Sequence, residues 1–437
     1  MVANLDFSHY KEALENVDLV RITGKVVQVV GLIIEAQVPG VFVGELCSIE
    51  LDENDHLMSE VVGFKGGNVL LMPLGTIAGI KPGTKIHPLG KAHQVKVGDE
   101  LLGRLLNGLG DPIDGKGPIH YSAEYPVDQD APDPFKRPRI ESILKTGVKA
   151  IDSTLTFGKG QRIGIFAGSG VGKSTLLGML ARNCEADIDV IALIGERGRE
   201  VKDFIEENLG EEGLKKSVVI CATSDNPPLV RLKGALVATS IAEYFRDQGK
   251  NVFFMMDSVT RFAMAQREVG LSTGEPPTSK GYTPSVFALL PRLMERAGTS
   301  DKGTITAVYT VLVEGSDMEE PIADTSRGIL DGHIILSRDL AAKNHYPCID
   351  VNQSLSRLMS AVTNEDHQKY AGQLREVLAT YEEAQDLINI GAYQRGSNPS
   401  IDDAIEKIKP VDALLKQRTD ENIPFEETVE ILSGIFI

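Results

Sequence analysis

The residues Ala167, Gly168, Ser169, Gly170, Val171, Gly172, Lys173, Ser174 and Thr175 have the types and spacing of a phosphate-binding loop. They follow G-x-x-x-x-G-K-[ST] except at the first position, where alanine replaces glycine. In such a loop, backbone N–H groups and the start of the next helix converge on an anion, and the helix dipole adds a favourable field. Lys173 would reach the β- and γ-phosphates of a nucleoside triphosphate, and the Ser174 hydroxyl would bind Mg²⁺. The alternative is a chance glycine turn before a helix. The apolar run Ile163–Phe166 ahead of the loop, with Leu176, Leu177 and Leu180 behind it, favours a strand, a loop and a helix.

Other residues could complete such a site. Val252–Asp257 is an apolar stretch ending in an acid. Ligands sit outside the carboxyl ends of buried parallel strands, so Asp257 is placed to meet Mg²⁺ directly or through water. Ile191–Glu200 reads as a strand running into a charged helix start. Glu196 there could polarise the attacking water, or it and Glu200 could do no more than favour a helix N-terminus. A guanidinium can meet the charge that grows during phosphoryl transfer, and Arg197, Arg261 and Arg357 are the candidates. For each of them a solvated helix face is the alternative. Tyr346 could offer a flat apolar face to a base, or be an ordinary packed tyrosine. No His/Cys set has zinc spacing, and no G-x-S-x-G elbow occurs.

The elements that would position these residues follow from patterning. The 437-residue chain has room for two or three domains. Residues 1–19 suggest a short amphipathic helix. Short β-rich segments at 19–30, 32–37, 42–51, 59–64 and 68–72, punctuated by Gly and Pro, suggest a small barrel over about 20–92. A Pro-rich connection follows, reading as an extended segment laid across a surface. From about Gly147, strands at 162–166, 189–194, 217–223, 252–257, 304–312 and 333–336 alternate with helices such as 229–246 and 285–295. That pattern predicts a parallel sheet covered on both faces. The expected fold is therefore α/β, with a central nucleotide-binding parallel sheet over 93–363 and an N-terminal β-barrel. A helical C-terminal domain over 364–437, interrupted near Gly391 and Pro399, completes it.

Composition narrows the function. The net charge is −17, which argues against a nucleic-acid binder. From Asn364 onward there are 15 Asp and Glu against 7 Lys and Arg, a net of −8, either a solvated helical face or a surface for basic partners. No apolar run is long enough to cross a bilayer, and the N-terminus lacks the pattern of a secretory signal. Four scattered cysteines fit reduced thiols in a cytosolic protein.

These motifs in this order resemble the hexameric rotary ATPases, the group of the ATP synthase catalytic subunit. Gly103–Ile119, Ile194–Arg197 and Ala242–Arg246 carry that likeness. The loop beginning at Ala167, Gly195–Ile205, Met256–Arg267, Gly274–Ser285, Val313–Asp324 and Leu387–Tyr393 are more similar to the flagellar protein export ATPases. They equally resemble the sibling ATPases of virulence-type secretion machines. The resemblance covers about residues 20–437. It implies Mg-ATP hydrolysis at the subunit interfaces of a homo-hexamer, energising export of unfolded flagellar proteins. Lys173 and Ser174 would take the phosphate and Mg²⁺ roles, Glu196 would activate water, and Arg197 and Arg261 would support the phosphate site. Arg357 would be an arginine finger for a neighbouring subunit's nucleotide, and Tyr346 would lie against adenine. Residues 1–19 would dock a stator-like regulator. The acidic tail would face the export gate, a stalk-like protein and substrate–chaperone complexes. The expected place is the cytoplasm, peripheral to the inner face of the membrane.

The alternatives are a virulence-type secretion ATPase, a hexameric nucleic-acid motor and a non-catalytic ring subunit. Residues 20–92 offer few aromatics, Phe42 and Phe64, and no basic cluster for a nucleic acid. The intact Lys173, Glu196 and Asp257 argue against a non-catalytic subunit.

Overall fold

The computed structural model describes residues 22–52, 55–313, 315 and 317–437, so the helix expected at 1–19 lies outside the described residues. The chain divides between His93 and Gln94 into two compact units. In the first, β1 (Gly24–Val30), β2 (Ile33–Gln37), β3 (Glu45–Asp52), β4 (Asp55–Lys65), β5 (Asn68–Pro73) and β6 (Lys85–Ala92) close into a barrel. The order around it is β1-β2-β5-β4-β3-β6. Alternate residues such as Val26, Ile34, Ala36, Ile49, Val61, Leu71 and Ile86 form its core. The sequence pattern showed five of these strands. The sixth, β6, closes the barrel by pairing with both β1 and β3. Pro88 and Gly90 within it read as punctuation, but Pro88 pairs beside an irregularity in the ladder, where a proline is tolerated.

The strands of the second unit are β7 (Gln94–Val97), β8 (Arg104–Asn107), β9 (Ala123–Pro126), β10 (Ile143–Leu144), β11 (Phe157–Gly158), β12 (Arg162–Ala167), β13 (Ile188–Ile194), β14 (Ser217–Ala222), β15 (Asn251–Asp257), β16 (Gly298–Thr299), β17 (Thr304–Leu312), β18 (Gly332–Leu336) and β19 (Ile349–Ser356). The main sheet runs β19-β18-β12-β17-β15-β13-β14-β8. It is parallel from β18 to β8, with β19 antiparallel at one edge. The expected parallel sheet is present, with two corrections: the antiparallel edge strand β19 was not expected, and a second edge strand lies in the connection. Arg104–Asn107, within the connection read as purely extended, forms the other edge strand beside β14. Gln94–Val97 and Ala123–Pro126 in that region also pair with each other.

Residues Val252–Asp257 and all of β13 are buried. Each large apolar side chain along them contributes about 1.5–3 kcal/mol by leaving water. This burial fixes the carboxyl ends of the strands, where Asp257 and Glu196 emerge. The C-terminal helices Glu365–Asn389, Pro399–Leu415 and Phe425–Phe436 share a continuous core with the sheet through Leu374, Val411, Leu414 and Leu432. All four cysteines are buried and unpaired. Among the described residues no helix is long and apolar enough to cross a membrane.

Candidate active site

The loop after β12 leads into the helix Lys173–Asn183. Gly170 and Gly172 have φ of 78° and 80°, a region that L side chains rarely adopt. Gly172 is the residue before the helix, and no side chain caps the helix start. Its first N–H groups are therefore available to an anion. Two side chains crowd the loop. A Cβ on Gly168 would lie 2.7 Å from an Arg338 Nη, and one on Gly172 would lie 3.6 Å from the Tyr346 ring.

Lys173 Nζ sits 2.5 Å from Asp257 Oδ1 and 3.6 Å from Glu196 Oε1. Thr310 Oγ1 donates to the same Asp257 oxygen at 2.6 Å. Burial opposes the charge on Lys173, but Asp257 and Glu196 outweigh it and raise its pKa. Glu196 is pushed the other way for a carboxylate, up to about 7, first by burial and then by the Asp257 charge, with Lys173 only partly compensating. Its Oε1 is buried and makes no hydrogen bond, and the same holds for Arg261 Nε. A buried carboxyl with a neutral-range pKa in a cleft is the state expected of a general base.

These groups face a cavity of about 680 Å³ that also takes in Ser174, Arg197 and Arg338. The structure thus brings together Ala167 to Thr175, Glu196, Asp257 and Arg261. Gly195, at φ 71°, leaves the space through which the Arg261 side chain passes, since a Cβ there would lie 2.6 Å from Arg261 Cβ. Arg197 lines the cavity but is largely exposed, 3.9 Å from Glu200. Tyr346 is half-exposed at 42 % and lies against the loop rather than in a core. Together with Val171, Thr175, Met179, Gln417 and Thr419 it lines a small, mostly apolar recess.

Arg357 is not part of this site. It follows β19, whose Ser356 pairs with Gly332 at the amino end of β18, while the loop lies at the carboxyl end. At 3.3 Å per residue the length of β12 separates the two ends by roughly 17 Å. Arg357 is exposed beyond an edge strand.

Sequence reasoning missed Thr310, Arg338, Gln417 and Thr419. Arg338 follows Leu336, at the carboxyl end of a strand read correctly, and that position was the available signal. Nothing in the sequence tied the distant Gln417 to the loop. Among the described residues no group of three or more His, Cys, Asp or Glu could cage a metal. The residues fit Mg²⁺ instead, which is held by one or two protein ligands plus phosphate oxygens. Ser174 and Asp257 flank a lysine here, and that lysine needs a new anionic partner if Asp257 is to be released.

Residues 147–356 match the nucleotide-binding domain of the ATP synthase alpha/beta family, and residues 26–90 match its beta-barrel domain. Residues 363–434 match the C-terminal domain of the type III secretion ATPase EscN. The flagellum-specific ATP synthase of Bacillus subtilis is 54% identical over 97% of this chain and 97% of its own length. The type 3 secretion system ATPase of Xanthomonas euvesicatoria is 51% identical over 94% and 93%. The assembled ATPase EscN of enteropathogenic E. coli has a TM-score of 0.90 at 45% identity, covering 94% of this chain and 99% of its own. In complex with its central stalk EscO, EscN has a TM-score of 0.88.

Proposed function

Because the chain belongs to the ATP synthase alpha/beta family, and ends in the C-terminal domain of the type III secretion branch, we propose that it energises protein export through a flagellar-type secretion apparatus. It is an ATP-hydrolysing enzyme. The observation that carries the mechanism is the Lys173 ammonium between Asp257 and Glu196, at the uncapped start of the loop helix.

When phosphates occupy the loop, Lys173 turns to them and leaves Asp257 free. Ser174 and Asp257 would hold Mg²⁺, and the ion would supply positive charge to the phosphate oxygens. Glu196 takes a proton from the attacking water, the role its burial prepares. Arg261 and Arg197 steady the phosphates, and Tyr346 covers the base. Arg357, exposed and remote from its own chain's loop, serves the site of a neighbouring subunit in a homo-hexamer.

The acidic C-terminal helices meet a stalk-like protein, the export gate and export substrates with their chaperones. The protein works in the cytoplasm, peripheral to the inner face of the membrane. The complex of EscN with its central stalk, together with the match of the C-terminal domain, supports the stalk-like partner. Steady-state ATPase assays test the catalytic reading: Lys173→Ala and Glu196→Gln should each abolish most turnover, and an unchanged rate would refute it. Deleting the gene tests the flagellar assignment. Lost motility is expected, whereas retained motility with lost effector secretion would place the protein in a virulence-type apparatus.

A further inference from the structure

Gln417, only 6 % exposed, lies between the helix Pro399–Leu415 and the helix Phe425–Phe436, in the wall of the recess beside Tyr346. A buried amide is costly unless its polar atoms are bonded. Here Oε1 accepts from the Lys149 N–H at 2.8 Å, and Nε2 donates to Gly147 O at 2.8 Å and Glu421 O at 3.0 Å. With both amide protons used, the side chain does not read the base. Its backbone N–H donates to Tyr346 O at 2.9 Å.

The same stretch grips the far end of the loop helix. Arg182 Nη2 donates to Thr419 O at 2.8 Å, and Asn183 Nδ2 donates to Glu421 O at 3.3 Å. The side-chain amide thus fixes the 417–421 stretch against residues 147–149, and the same stretch holds Tyr346 through the Gln417 backbone N–H and the loop helix through the carbonyls of Thr419 and Glu421.

We propose that Gln417 is a positioning residue for the base half of the nucleotide site, locking the Tyr346 backbone to the C-terminal helices and to the loop helix. It acts on nucleotide affinity and not on the hydrolytic step. The inference rests on the reading that Tyr346 covers the base. Gln417→Met keeps the volume and removes the amide bonds. In the full-length protein it should raise the KM for ATP about threefold, equivalent to about 0.6 kcal/mol and no more than loss of the Tyr346 ring itself, with kcat little changed. Inhibition by Mg-tripolyphosphate, which has phosphates and no base, should be unaffected.

An unchanged KM, or tripolyphosphate inhibition weakened as much as ATP binding, would overturn the proposal. Tyr346→Ala separates the two levels. If it raises the KM while Gln417→Met does not, the positioning role fails alone; if it leaves the KM unchanged, the base reading fails and the inference with it. Should Gln417→Met not fold, hydrogen exchange on the wild-type protein decides. A non-hydrolysable ATP analogue should slow exchange at both 345–348 and 417–421, and tripolyphosphate at neither. Exchange at 417–421 that ignores the analogue would overturn the proposal.

Discussion

Two charged clusters lie at opposite ends of the main sheet. At the carboxyl end, Lys173, Asp257 and Glu196 meet in an open cavity, with Glu196 Oε1 and Arg261 Nε buried and without a hydrogen bond. At the amino end, Arg296 and Glu243 are each 2 % exposed. Arg296 bonds both Glu243 oxygens, at 2.9 and 2.6 Å, the Ser240 hydroxyl at 2.8 Å and Val127 O at 2.9 Å. Each of its nitrogens has a partner. That cluster joins the connection through Val127 to the helix Pro228–Asp247 and to the turn after the helix Pro284–Met294, and it has nothing left to offer a ligand. Buried charge therefore does not identify a site by itself. The cluster that keeps two buried atoms unbonded is arranged for a partner still to come, and the fully bonded one holds elements together.

This contrast can be broken from either side. The largest effect is expected at the amino end, where Glu243→Gln leaves Arg296 without its counter-charge. Removing one member of a buried pair costs about 3–5 kcal/mol, so the urea midpoint should fall sharply while turnover per folded molecule holds. An unchanged midpoint would deny the cluster its structural role.

Arg357→Ala should lower turnover on the order of a thousandfold, as loss of an arginine finger does, with stability unchanged. Mixed rings sharpen that result. Combining Arg357→Ala with Lys173→Ala subunits should restore some activity, because one kind keeps an intact loop and the other an intact finger. No gain over either variant alone would count against action across subunits.

The pH profile comes next. With the Glu196 carboxyl raised to about 7, its base form fills in as pH rises, so kcat/KM should climb about tenfold from pH 6 to pH 8. A flat profile would contradict the assignment of Glu196. The smallest effect is at the base: Tyr346→Ala should raise the KM by several-fold, in line with the roughly 0.5–1.5 kcal/mol of an aromatic contact.

The carboxyl-end cluster was far more legible in the sequence than the amino-end one. The loop residues are contiguous, and Asp257 and Glu196 each end an apolar strand, so local pattern and the geometry of parallel sheets sufficed to place them. Arg296 and Glu243 are 53 positions apart, and each alone looks like an ordinary surface charge. The edge strands β8 and β19 and the barrel strand β6 were hidden for a related reason. Edge strands need little apolar content, and β6 contains Pro88 and Gly90. Gln417 reaches Gly147 across 270 positions, a contact that periodicity cannot express. Arg338 was within reach, since it stands just past the carboxyl end of a strand that was recognised.

Glu196, whose Oε1 is buried without a hydrogen bond, is proposed to activate water beside a bound triphosphate. The most direct test of this role measures Mg-ATP binding and steady-state hydrolysis together in Glu196→Gln. The expected result is unchanged nucleotide affinity and thermal midpoint with turnover reduced about 10²–10⁴-fold, the range for loss of a general base. Turnover equal to the wild-type rate would contradict it.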